Sequence, residues 1–311
     1  MLRTLIFLLL VQLALPLTAQ EAAQEAAQEA TKEKEFRGQD AQRVAAWLKV
    51  SQDHAGDYRL APKEKPDAPL KLLPKAVFQH SQPVRGDDIG AVYLWVDDAG
   101  LPAALGTVFA YSYGGPGERW VAHEFHSLAS TPLIGMWRDA DAWSPAEPGL
   151  KWQEVPESPA PAQGANARLR QMREIGRRLA AHSTDGNDSR WELRLITQPI
   201  YLYTLEKPAE KISGGVFLFC QGTDPEVILL LEARRVKDRP VWQYALAPFT
   251  DYGLTATLDE KEIWSLPKDH RPQRTSAHWW NGKMEVKKLS AEEEVELAKA
   301  FNASQKTLGD N

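Results

Sequence analysis

The stretch GGVFLFCQGTDPEVILLL, residues 214–231, decides the fold of this chain. Its two apolar runs, 216–220 and 227–231, flank turn residues at 222–225, and this arrangement is typical of a β-hairpin. Apolar side chains occupy both parities of each run, which predicts central strands that are covered on both faces. The antiparallel meander predicted around this hairpin takes in further apolar runs at 193–196, 200–203, 241–246 and 254–264.

A second stretch with the same pattern lies ~120 positions earlier in the chain. Gly90–Trp95 matches Gly214–Phe219, and Trp120 matches Trp242. One β unit used twice explains why the glycine and tryptophan positions recur at nearly one offset. The sequence therefore predicts an α+β fold of two tandem repeats, each a helix packed on an antiparallel β-meander.

Local signals outside these β runs complete the predicted organisation. Amphipathic patterns predict helices from Asp40 to about His54 and from Ala165 to His182, and Ser290 with Glu293 forms a capping box for a last helix that reaches Phe301. The predicted segments are a signal peptide (1–19), a Glu/Ala/Gln-rich spacer (20–38), the first repeat (39–145), a Pro-rich linker (146–164), the second repeat (165–267) and a polar tail with a terminal helix (268–311).

The composition and the N-terminal residues limit the cellular compartment and the kinds of partner that we expect. Arg3 precedes a short apolar run that closes on small residues at Ala19, so we expect an exported protein, periplasmic or extracellular, that does not span a membrane. A hydrophobic content of 43% is enough for a full core, and the net charge of −5 disfavours a nucleic-acid partner. The lone Cys220 lies in an apolar strand run and is predicted to be a buried, inert thiol.

One dense group of chemically capable side chains stands out: His123, Glu124 and His126. A zinc-protease helix needs two histidines four residues apart, whereas these two are three apart. On a strand, Glu124 and His126 share one face and His123 points to the other. They are therefore weak candidates for a metal or acid–base site, against ordinary polar residues at a sheet edge. The sequence predicts no catalytic residue, no cofactor and no metal site.

Nine of the eleven tryptophans fall into two groups. Trp95, Trp120 and Trp143 recur in the second stretch as Phe219, Trp242 and Trp264, which predicts packing in the core. Four others have no counterpart and are candidates for an exposed carbohydrate-binding platform: Trp137, Trp152, Trp279 and Trp280.

Three motifs carry a resemblance to a known class of proteins. They are RLRQMR at 168–173, ELRLITQPIY at 192–201 and GTDPEV at 222–227. With these motifs the chain resembles an uncharacterised family of exported bacterial proteins, a resemblance that implies a class and no activity. The leading hypothesis is an exported, non-catalytic binding or structural module with an envelope glycan or protein as partner. The alternatives are a cell-envelope hydrolase that uses Glu124 and His126 and a carbohydrate-binding protein that uses exposed tryptophans.

Overall fold

The computed structural model describes residues 40–82, 87–113, 117–207, 210–237, 239–268, 270 and 272–308. The chain separates into two units, Met1–Gln42 and Arg43–Asn311, and all of the described strands belong to the second. The predicted signal peptide (1–19) and spacer (20–38) lie outside the described residues. Within those residues, no helix has both the length and the apolar character that a membrane span requires.

Strands dominate the structure: 50% of the described residues lie in strands and 18% in helices. The described helices are α1 (residues 40–56), α2 (Ala165–Arg177) and α3 (Ala291–Thr307). The strands are β1 (Tyr58–Pro62), β2 (Lys71–Leu72), β3 (Phe78–Gln82), β4 (Asp88–Val96), β5 (Pro102–Ser112), β6 (Glu118–Ser127), β7 (Leu133–Trp137), β8 (Ala140–Trp143), β9 (Gln153–Glu154), β10 (Leu179–Thr184), β11 (Arg190–Leu195), β12 (Tyr201–Lys207), β13 (Glu210–Gln221), β14 (Asp224–Val236), β15 (Arg239–Pro248), β16 (Gly253–Leu258), β17 (Lys261–Leu266) and β18 (His278–Lys288).

The strands of the described residues form three sheets, and the predicted antiparallel pairing is confirmed. The smallest has the order β1-β7-β8. A six-stranded sheet runs β18-β6-β5-β4-β2, with β3 also paired to β4. A nine-stranded sheet runs β17-β16-β10-β11-β13-β14-β15-β9, with β12 also paired to β13.

The predicted α+β class with two tandem helix-plus-meander repeats is wrong. The protein is mostly β and its strands curl into a half-barrel. Both large sheets are completed by strands from outside the predicted repeats, because β18 of the predicted tail pairs with β6 and β9 of the predicted linker pairs with β15. One core cluster also joins Val92 and Leu94 of the first half to Val216 and Leu218 of the second. The halves therefore do not bury separate cores.

The helix predicted from Ala165 to His182 ends earlier, at Arg177. Residues 179–184 instead form β10, which pairs with β16 on one side and β11 on the other. Their burial alternates along the chain, with Leu179, Ala181 and Ser183 buried, as a strand requires. Hydrogen bonds to two neighbouring strands outweigh the helical propensity of this short segment.

The predicted terminal helix is confirmed, and it begins at the capping box of Ser290 and Glu293. Ser290 accepts a hydrogen bond from the backbone N–H of Glu293, and the Glu293 carboxylate accepts one from the backbone N–H of Ser290. Ala298 and Phe301 are buried in the core cluster that also contains α1. The helix thus has a locally encoded start and a face that tertiary contacts bury.

The hairpin of β13 and β14 has both faces covered, as the sequence predicts. Phe217 and Leu229 point into one core cluster, and Leu218 and Leu230 point into another. Cys220 lies in the second cluster and is fully buried, and this burial raises the pKa of its thiol to about 12. The predicted burial of the thiol is confirmed.

Candidate functional site

Strand β6 presents the His123–His126 group to two different environments, as its alternation predicts. His123 points to the side of the sheet that α1 covers, where it contacts His54 and Tyr58. Glu124 and His126 point to the opposite side. The three residues therefore do not converge, and no group of three or more metal-ligating side chains occurs within the described ranges.

His123 is the centre of a buried hydrogen-bond chain. Tyr58 Oη lies 2.7 Å from His123 Nδ1, His123 Nε2 lies 2.9 Å from His54 Nδ1, and His54 Nε2 lies 3.3 Å from Glu285 Oε2. Because a carboxylate only accepts, His54 Nε2 must carry a proton when Glu285 is ionised and His54 is neutral. The chain then has one direction: Tyr58 donates to His123, His123 donates to His54, and His54 donates to Glu285.

On the other face of β6 lies a cavity of about 340 Å³, which we call the acidic pocket. Four carboxyl groups line it, together with five aromatic rings. The lining residues are Asp88, Phe109, Tyr111, Glu124, Asp224, Pro225, Phe249, Thr250, Asp251, Tyr252 and Trp280. Among these described lining residues there is no lysine or arginine, so the ionisable side chains of the lining are acidic.

The acidic pocket is assembled from distant parts of the chain. Asp88 begins β4, Glu124 lies on β6, and Asp224 begins β14. Residues 249–252 form the connection between β15 and β16, and Trp280 lies on β18 directly across from Glu124. The pocket thus combines residues of both predicted repeats with a residue of the predicted tail, so no local sequence motif predicts it.

Glu124 is the most buried carboxyl group of the pocket lining, with 4% of its surface exposed. Burial and the nearby carboxylates of Asp251, Asp224 and Glu226 raise its pKa well above the usual value. Its Oε1 lies 2.6 Å from Nε2 of the buried His278, and burial lowers the pKa of this imidazole. The sequence did not point to His278, because the β18–β6 pairing that brings it to Glu124 joins residues far apart in the chain.

His126 stands behind this pair and does not line the pocket. Its Nδ1–H donates to the backbone carbonyl of Ser127 at 2.9 Å, and its ring stacks on His278 with 6.1 Å between centroids. Burial lowers the pKa of His126 to about 4, so the ring is neutral at pH 7. The pairing of Glu124 with His126 expected for a hydrolase is replaced by a pairing of Glu124 with His278.

A bulge in β18 fixes the aromatic wall of the pocket. The register with β6 shifts between Asn281 and Glu285, and the Tyr111 hydroxyl donates to the Gly282 carbonyl at 2.8 Å. A Cβ at position 282 would lie 2.6 Å from the Trp280 ring, so only glycine lets this ring pack here. Trp280 is thereby held facing the carboxyl groups.

The tryptophans expected at the surface are mostly covered. Trp279 is only 5% exposed and packs in the core, so its predicted exposure is wrong. Trp137 and Trp152 are half-buried beneath the guanidinium groups of Arg138 and Arg234, respectively. Trp120, expected in the core, is instead half-buried.

Comparison of the chain with protein-family models, with curated proteins and with solved structures finds no match. The resemblance to exported bacterial proteins therefore stays a prediction.

Proposed function

We propose that this protein is a non-catalytic binding protein whose ligand is a small organic cation held in the acidic pocket. The observation that carries this proposal is the lining itself, which surrounds a cavity of ligand size with carboxyl groups and aromatic rings. Export to the periplasm or the extracellular space belongs to the proposal as a prediction from residues 1–19.

The charges support a cation as ligand. Asp251 and Asp224 lie close enough to Glu124 to raise its pKa, after the larger effect of burial. Burial, Asp88 and Asp251 likewise raise the pKa of Tyr111. Carboxylates that oppose each other's ionisation at close range are relieved by a positive ligand, and low-dielectric walls strengthen that attraction.

The aromatic rings support an organic cation over a bare metal ion. The half-buried rings of Phe109 and Trp280 line the cavity, and ring faces attract ammonium groups by about 0.5–2 kcal/mol. A hard metal ion would instead require converging oxygen ligands. An alkylammonium group satisfies the carboxylates with its charge and the rings with its carbon atoms.

Substitution of Asp251 by Asn is expected to weaken the binding of propylammonium by about 10- to 100-fold, since a hydrogen bond to a charged group contributes about 1.5–3 kcal/mol. Isothermal titration calorimetry on the full chain measures this effect. Asp98→Asn is the matched control, because Asp98 is exposed and is not among the pocket-lining residues. Equal affinity for propylammonium and for neutral propanol would contradict the proposal.

A second candidate function is hydrolysis with Glu124 as general acid. The raised pKa of Glu124, in a pocket that contains further carboxyl groups, is the observation that favours it. If this holds, Glu124→Gln should lower the rate on chromogenic glycosides or esters by about 100- to 10,000-fold. Glu118→Gln, an exposed change on the same strand, should leave the rate unchanged. A purified protein that cleaves none of these substrates excludes the candidate for those classes.

A further inference from the structure

A strip of aromatic rings leads out of the acidic pocket along β5 and its extension. Phe109, Tyr111 and Tyr113 alternate along the chain, and their ring centroids are separated by 5.9 and 6.3 Å. The first two rings line the pocket, whereas Tyr113 is 57% exposed. Among the described residues, the pocket therefore continues onto the exposed ring of Tyr113.

The far end of this aromatic strip carries a positive charge, opposite in sign to the carboxylates of the acidic pocket. The Tyr113 ring lies 4.2 Å from the Trp120 ring, measured between centroids. Lys283, whose backbone N–H donates to the Asn281 side chain within the β18 bulge, places its ammonium 4.3 Å from the Trp120 centroid. A ligand along the strip thus meets carboxyl groups at one end and an ammonium group at the other.

We infer that the ligand is the N-terminal segment of an extended peptide, an inference that rests on the proposed cation-binding function. The N-terminal ammonium is the cation in the acidic pocket, and the peptide chain follows the strip to Lys283, which pairs with a peptide carboxylate. Side chains on one face of an extended chain repeat every ~6.6 Å, close to the separations between the rings. In a tetrapeptide that begins in the acidic pocket, the second and fourth side chains share one face, so they contact the rings of Tyr111 and Tyr113.

The same geometry sets the length of the peptide. A tetrapeptide spans about 13 Å when extended, which matches the two ring separations along the strip taken together. Capture of an N-terminal amine and pockets for alternate side chains are each established features of peptide recognition. A neutral glycan would contact the rings and would carry no charge opposite to those at the two ends of the strip.

The test is calorimetric titration of the full chain with Ala-Phe-Ala-Phe, its N-acetylated form, propylammonium and a glucosamine tetramer. We expect the free peptide to bind at least about tenfold more tightly than propylammonium, and acetylation to remove this gain. Tyr113→Ser should weaken peptide binding by about three- to tenfold and leave the affinity for propylammonium unchanged. Trp191→Ser, which removes an exposed aromatic ring on β11, is the matched control and should change neither affinity.

The outcomes separate the two proposals. If propylammonium binds but the peptide gains nothing over it, or if Tyr113→Ser leaves the peptide affinity intact, the peptide inference is overturned and cation binding stands. Tighter binding of the glucosamine tetramer than of the peptide also overturns the inference, in favour of an amino-sugar chain. If neither propylammonium nor the peptide binds, both proposals fail together.

Discussion

Between pH 7.5 and pH 4.5 the free energy of unfolding is expected to fall by several kcal/mol. Burial lowers the pKa of His54, His80 and His126 to about 4, and it lowers the pKa of His123 and His278 as well. An unfolded histidine has a pKa near 6.5. Between these values the unfolded chain binds more protons than the folded chain, so stability is full above about pH 6.5 and is lost as the pH falls toward 4.

The size of this effect follows from the pKa shift. At 1.36 kcal/mol per unit, each histidine with a folded pKa of about 4 contributes about 3 kcal/mol over this window. Three such groups are comparable to the whole stability of an ordinary domain, about 5–15 kcal/mol. Glu124 acts in the opposite direction, because burial raises its pKa and the folded protein therefore keeps this proton to a higher pH than the unfolded chain does. The histidines outnumber it, so net destabilisation by acid is expected.

Urea denaturation at pH 7.5, 6.0, 5.0 and 4.5 measures this loss. His80→Gln should reduce the slope of stability against pH, because it removes one buried titrating group that sits beside Thr107. His182→Gln is the matched control: this half-buried side chain has a pKa lowered less severely, and its removal should change the slope little. A free energy of unfolding that stays constant from pH 7.5 to 4.5 would contradict the prediction.

Replacement of His123 by Leu is expected to destabilise the fold by about 2–6 kcal/mol. The substitution removes the acceptor of the Tyr58 hydroxyl and the donor to His54 Nδ1, which leaves two buried polar groups without their partners. Each orphaned group costs about 1–3 kcal/mol. Urea denaturation at pH 7.5, where both histidines are neutral, measures the loss without interference from titration.

A double-variant cycle separates the hydrogen-bond chain from simple packing. In the Tyr58→Phe/His123→Leu protein the hydroxyl that would be orphaned is absent, so the loss should be smaller than the sum of the two single losses. Binding of propylammonium should survive both substitutions in the folded protein, because His123 faces away from the acidic pocket. Additive losses would show that the hydrogen bond between Tyr58 and His123 contributes no coupling energy.

Local features of the fold followed from the sequence. The hairpin of β13 and β14 was evident from two apolar runs around 222–225, and the start of α3 was evident from Ser290 and Glu293. Both depend on residues a few positions apart, where side-chain alternation and capping hydrogen bonds are encoded directly. The division of His123 from Glu124 onto opposite faces of β6 is predictable for the same reason.

The predictions that are wrong concern segments whose structure depends on contacts with residues far away in the chain. Residues 179–182 carry a helical pattern, yet hydrogen bonds to β11 and β16 make them a strand. Trp279 is a candidate for exposure in the sequence, since no local pattern predicts the pairing of β18 with β6 that buries it. The match between two β-rich stretches suggested separate repeats, but the shared core around Leu94 and Leu218 unites them.

The turn at 222–225, the opposite faces of His123 and Glu124, and the burial of Cys220 are encoded locally, because they depend on short-range periodicity and hydrophobicity. Which strands are neighbours and which charges meet depends on the tertiary structure. The acidic pocket exists because β4, β6, β14, β18 and the connection after β15 bring four carboxyl groups to one cavity. That arrangement depends on long-range pairing, whose free energy comes from contacts between residues far apart in the chain.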